Sequence, residues 1–145
     1  MAGFGSGRSK ACRPRRSAGR VFVIRPARST VSIRHAETDS VLATDVAVAD
    51  SGLRQAIGLM GRWSVPDDYG LVFPFDRAAP RFIHMVLVGT ALDVLWLVEG
   101  RVERVATLRP MIGFGRARAD TLIELPAGAA SAVEAGDRIE WSADR

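Results

Sequence analysis

Apolar and polar positions along the chain divide it into short elements of mostly strand character. Residues 41–49 (VLATDVAVA) are β-branched and partly alternating, with Val46 and Val48 on one face and Ala47 on the other, which predicts a strand. Asp50 then offers an N-cap, and Leu53, Ala56, Ile57 and Met60 recur at helical spacing, so a short helix is expected there, stopped by Gly61. Residues 62–69, with Pro66-Asp67-Asp68, read as a loop, and 70–75 as a short apolar strand bounded by Pro74. The apolar runs 81–88 and 92–98 are separated by Gly89-Thr90-Ala91, predicting a hairpin or tight connection. Residues 92–98 are apolar on both faces, as in a central strand covered on each side. Residues 101–108 form the next strand, and because Val102, Val105 and Leu108 do not keep strict period two, a bulge is expected in it. The glycine-punctuated stretch 111–120 reads as a loop, 121–125 as a strand, 127–134 as a short helix and 137–141 as a closing strand. The sum is an α+β, β-rich single domain of about seven mostly antiparallel strands, barrel-like or a sheet layer, with two short helices.

Composition and charge then separate this domain from what precedes it. At 145 residues, 48% hydrophobic and 25% charged, the chain has the proportions of one soluble globular unit. The formal charge of +4 is unevenly distributed: residues 1–34 carry nine of the 20 basic residues and no Asp or Glu. The other eleven basic residues stand against all 16 acids, so the chain from residue 35 onward is net acidic by five. Gly, Ser and Ala dominate residues 1–34, whose one apolar run, 21–24, buries too little to offset ordering entropy, so a basic disordered tail is expected before a domain at 38–142. That tail reads as a transit peptide, as a phosphate-binding arm, or as an upstream extension of a GC-rich reading frame whose true start is Val31. The 21–24 run is far short of the roughly 7–15 apolar residues of a secretory signal. Asp93 interrupts the longest apolar stretch, 85–98, well below the ~20 residues of a membrane span, so a cytoplasmic protein with no membrane partner is expected. The single cysteine, Cys12, excludes an intramolecular disulfide and a cysteine-based zinc site.

Several short motifs occur in a recognisable order: Gly58-Leu59-Met60 with Arg62, Gly70-Leu71-Val72-Phe73 with Phe75, Phe82 with Met85, Leu92-Asp93, Glu124-Leu125-Pro126-Ala127-Gly128, and Gly136-Asp137. Spanning roughly residues 38–141, they resemble the domain-of-unknown-function 192 (DUF192) family, small single domains of bacteria and archaea. The resemblance implies a β-rich fold and supplies no activity and no catalytic residue. Many family members have Trp before the Met85 position and Lys-Asn after it, whereas this chain has His84 and Val86-Leu87. A polar site at that place would be remodelled here. An acidic domain whose basic residues are almost all Arg looks like a version from a halophilic archaeon.

Candidate chemistry is sparse. Asp93 lies in a strand so apolar that its carboxylate needs pairing or backbone N–H donors; it is a candidate ligand-binding group or general base, or a structural residue fixing the turn after Gly89-Thr90 or pairing with Arg81. His84 shares a face with Phe82, Val86 and Val88 and is a candidate proton shuttle, or a rim residue; it lacks the companions a metal requires, and no metal is expected. Arg109, Arg116 and Arg118, around Gly113-Phe114-Gly115, suggest an anion cradle with Arg81 nearby, or simply a solvated turn. The glycines lack the strand-before, helix-after context of a dinucleotide fingerprint, and no cofactor is expected. Trp63, Trp96 and Trp141 are not interleaved with basic residues, so nucleic acid is not an expected partner of the folded domain. These features point to a non-enzymatic binding or accessory module with a modest pocket near the 80s and the Gly113 loop, taking a small molecule or a protein. The alternatives are a small hydrolase or isomerase using Asp93 and His84, and nucleic-acid contact through the basic N-terminal tail.

Overall fold

The structure is a computed structural model and describes residues 32–52 and 58–143. Eight strands occur among them: β1 (Ser32–His35), β2 (Val41–Ala43), β3 (Asp45–Val48), β4 (Tyr69–His84), β5 (Leu92–Val98), β6 (Arg101–Leu108), β7 (Phe114–Pro126) and β8 (Ile139–Ser142). They form two sheets, one ordered β2-β1-β8 and one ordered β3-β4-β7-β5-β6, antiparallel except for the β3–β4 pair; neither closes into a barrel. No helix among the described residues is long and apolar enough to cross a membrane.

The five-stranded sheet separates two apolar cores. Phe73, Met85, Leu92, Val94, Trp96 and Leu122 belong to one, and Val72, Leu95, Leu97, Ile123 and Leu125 to the other. This is the physical basis of the apolar pattern in β5: alternate residues enter different cores, so both faces must be apolar. The small sheet closes the second core through Ile33, Ala43 and Ile139. β1 is a strand the apolar pattern did not suggest. It places residues 32–35 in the fold, ahead of the expected start at residue 38, because four residues with one buried apolar side chain, Ile33, carry little periodic signal.

Several expected elements take another form. Residues 70–75 and 81–88 were read as two strands; both contribute to the single strand β4, whose register shifts between Pro74 and Ala79 and which ends at His84. β4 does not form a hairpin with β5, because β7 lies between them. Most of the expected loop 111–120 is the first half of β7, which pairs with β4 from Phe114 to Ala119. Its glycines serve close approach: a Cβ on Gly115 would stand 2.5 Å from the Trp96 ring, and one on Gly113 2.6 Å from the Arg109 backbone. The expected helix at 127–134 is a chain of four-residue turns, closed by Ala129 N–H to Pro126 O, Ser131 to Gly128 and Val133 to Ala130. Gly128 at φ 93° breaks helical geometry there. For the first helix, Leu53, Ala56 and Ile57 lie outside the described residues, and Met60 sits in a turn. The bulge expected in residues 101–108 is present: Trp96 opposes Arg104 and Leu97 opposes Val102, leaving Glu103 as the extra residue.

Candidate functional site

The site is organised by β7, the middle strand of the five-stranded sheet. Its residue Glu124 lies in register between Leu71 of β4 and Val94 of β5. Two residues after Leu122, its side chain emerges on that residue's side of the sheet, toward the first core. Only 5% of Glu124 is exposed, and its Oε2 has no hydrogen-bond partner among the described residues. Burial without compensation disfavours the charged form and pushes the carboxyl up to about 7.

The space in front of it is a cavity of about 280 Å³ lined by Gly58, Leu59, Met60, Phe82, Ile83, His84, Met85, Val88, Leu92 and Glu124. Gly58, in the left-handed region at φ 50°, brings its backbone against the Glu124 carboxyl without a side chain in the way. A second cavity of about 310 Å³ shares Gly58 and Leu59 and continues to Arg62, Tyr69 and Leu71. There the Arg62 guanidinium stands 5.3 Å over the Tyr69 ring, and burial raises the Tyr69 hydroxyl above its ordinary value although the Arg62 charge acts in the other direction.

The residues singled out from sequence are distributed differently from the expectation. His84 does line the Glu124 cavity; its Nδ1 accepts from the Val86 N–H at 3.3 Å. Asp93 does not line it. The Asp93 carboxylate is committed elsewhere: Oδ1 accepts from Thr107 Oγ1 at 2.6 Å, and Oδ2 from the N–H groups of Gly128 and Ala130, each at 2.9 Å. It therefore anchors the turns after β7, and neither the Gly89-Thr90 turn nor Arg81 is its partner. Arg81 instead lies 3.8 Å over the Phe75 ring and donates to the carbonyls of Ala119 and Arg77. Arg116 and Arg118 stand on β7 and not in a loop, and Arg109 lies before the turn closed by Gly113 N–H to Arg109 O.

Sequence reasoning passed over Glu124. The signal was available, since Leu122-Ile123-Glu124-Leu125 places a lone acid in an apolar strand just as the residues around Asp93 do.

His35, Glu37 and Asp137 form the one group of three potential metal ligands among the described residues. Their donors already serve one another. His35 Nε2 and Asp137 Oδ2 share a hydrogen bond at 2.8 Å, Thr38 N–H donates to His35 Nδ1, and Arg138 N–H donates to Glu37. The Glu134 N–H and then the His35 hydrogen bond hold the Asp137 carboxyl below its ordinary value. This is a clasp between β1 and the approach to β8.

Two crystal structures share the fold. One is a candidate transcription regulator from Sinorhizobium meliloti 1021, at TM-score 0.67 and 24% identity, covering 77% of this chain and 91% of that one. The other is a protein of unknown function from Novosphingobium aromaticivorans, at TM-score 0.65 and 23% identity, covering 77% and 83%. No curated protein matches. Residues 33–141 match the DUF192 family, described as an uncharacterized ACR, and the chain belongs to that family.

Proposed function

We propose that the domain is a small-molecule binding module whose site is the Glu124 cavity. One observation carries this reading: a buried carboxyl oxygen without a partner among the described residues, in the wall of a cavity that apolar side chains share with His84. A polar group left this way costs about 1–3 kcal/mol, an arrangement that a ligand completing its hydrogen bonds would relieve. The volume lies near the lower end of ligand pockets, ~300 Å³. Walls from Leu59, Met60, Ile83, Met85, Val88 and Leu92 favour an apolar body, and a carboxyl poised near neutrality favours a single amine or amide head. The acid/base alternative built on Asp93 and His84 gains no support from the geometry, because the three hydrogen bonds to Asp93 occupy its carboxylate. Nearly all of the basic tail lies outside the described residues.

Ligand-detected NMR with a panel of short alkylamines and alkylamides tests the proposal. Binding by the parent chain, weakened at least about tenfold by Glu124→Leu, is the expected result. Absence of binding across the panel, or equal binding by Glu124→Leu, would overturn it.

A further inference from the structure

We infer that the exposed face of the β4–β7 ribbon is a binding site for single-stranded nucleic acid. Three segments meet at this end of the sheet, 58–66, 81–92 and 104–119. Backbone bonds stitch them together: Gly61 N–H to Leu87 O, Gly89 to Arg62, Met85 to Gly113 and Met111 to Val88. They contain Arg62, Arg81, Arg104, Arg109, Arg116 and Arg118 and no Asp or Glu. Every ion pair among the described residues lies elsewhere, at Arg34–Asp39, Arg138–Glu140 and the His35 clasp. A domain that is acidic as a whole thus gathers six arginines on three acid-free segments at one end, with Glu124 buried behind them, and their charge is complementary to a polyanion.

On the ribbon, Pro80, Phe82 and His84 stand opposite Arg118, Arg116 and Phe114, and antiparallel partners share a face. All six are exposed, Phe82 by 58% and Phe114 by 69%. The Phe82 ring lies 6.1 Å from Phe114 and 6.3 Å from His84. The reverse side is occupied by Ala117 and Ala119 against the first core and by Trp96 against Gly115; Phe82 and His84 also border the Glu124 cavity, whereas Phe114, Arg116 and Arg118 do not. Basic residues do not interleave with the tryptophans, but they do interleave with Phe82, His84 and Phe114. Rings beside guanidinium groups on one strand face suit unstacked bases and their phosphates. A duplex keeps its bases stacked internally, and a second copy docked here about a two-fold axis would set these arginines against one another.

The test uses the full chain and fluorescein-labelled oligo(dT) and oligo(rU) of about a dozen nucleotides, with a duplex of the same length, read by anisotropy. Phe114, Arg116 and Arg118 do not line the Glu124 cavity, so this inference and the ligand reading fail separately. Expected are binding to one or both single strands, at least about tenfold weaker duplex binding, and about tenfold loss in Phe114→Ala. The joint Arg116→Ala, Arg118→Ala variant should lower the slope of log affinity against log salt by about 1.4. The ratio of the two oligonucleotides tells DNA from RNA. Unchanged binding by these variants, folded by circular dichroism, would assign the attraction to the basic residues 1–34 and overturn the inference. So would absence of binding, whether or not sedimentation shows self-association that Phe114→Ala abolishes.

Discussion

Asp93 and Glu124 are both buried carboxylates in apolar strands of the same sheet, and the difference between them shows how such groups divide into scaffold and site. Asp93, 3% exposed, accepts three hydrogen bonds, while Glu124, 5% exposed, has an oxygen with none from the described residues. Burial alone does not separate them; the supply of donors does. β6 offers the Thr107 hydroxyl to Asp93, and the turns after Pro126 offer two backbone N–H groups. The first core offers Glu124 aliphatic walls.

Removing Asp93 should have the largest effect. Asp93→Ala leaves the buried Ala130 N–H, the Gly128 N–H and the Thr107 hydroxyl without their charged acceptor and should destabilise the domain by about 3 kcal/mol in urea denaturation. A loss near zero would erase the contrast with Glu124. Glu124 should behave in the opposite sense and depend on pH. Its folded value, about 7, is above its ordinary value of 4.5, so the folded state holds the proton more tightly than the unfolded chain. Stability should therefore fall as pH rises from about 4.5 to about 7, by up to about 3 kcal/mol, and change no further from this group above that window. Glu124→Gln should be more stable than the parent at pH 8 and close to it below pH 5, measured by thermal denaturation across pH.

The smallest effect is expected at Asp137, a half-buried carboxylate that does have donors. Its folded value is lowered, so its contribution is present above its ordinary value of 3.8 and is lost as pH falls through the lowered folded one. Asp137→Asn should remove that acid-side loss, read by circular dichroism in an acid titration, and leave the Glu124 window untouched. A change in that window would mean that the two carboxyls are coupled.

Much of the fold was legible because it depends on local pattern. The two-sided apolar run of β5 gave a central strand, and the broken alternation in residues 101–108 gave the bulge at Glu103. What depends on distant partners was not legible. The glycines at 113 and 115 read as loop punctuation because their reason, the Arg109 backbone and the Trp96 ring, is not local. The apolar, helix-permissive run after Pro126 read as a helix because Asp93, which takes two of its N–H groups, is more than thirty residues away. For the site, sequence located His84 at the cavity but not the acid it shares the cavity with. Both Asp93 and Glu124 satisfy the rule of a charge in an apolar strand, and only the three-dimensional supply of donors tells them apart.

The pairing of β1 with β8 joins Ser32 to Ser142 and His35 to Ile139. During synthesis the small sheet cannot be completed until the last strand has left the ribosome. Until then Ile33 and Ala43 lack the cover that Ile139 gives to their side of the second core. A domain closed by its most separated strands has high contact order, folds slowly, and leaves a nascent sheet edge open to other chains. The His35–Asp137 clasp sits beside this last junction, so it forms only when the folding chain has already brought its ends together.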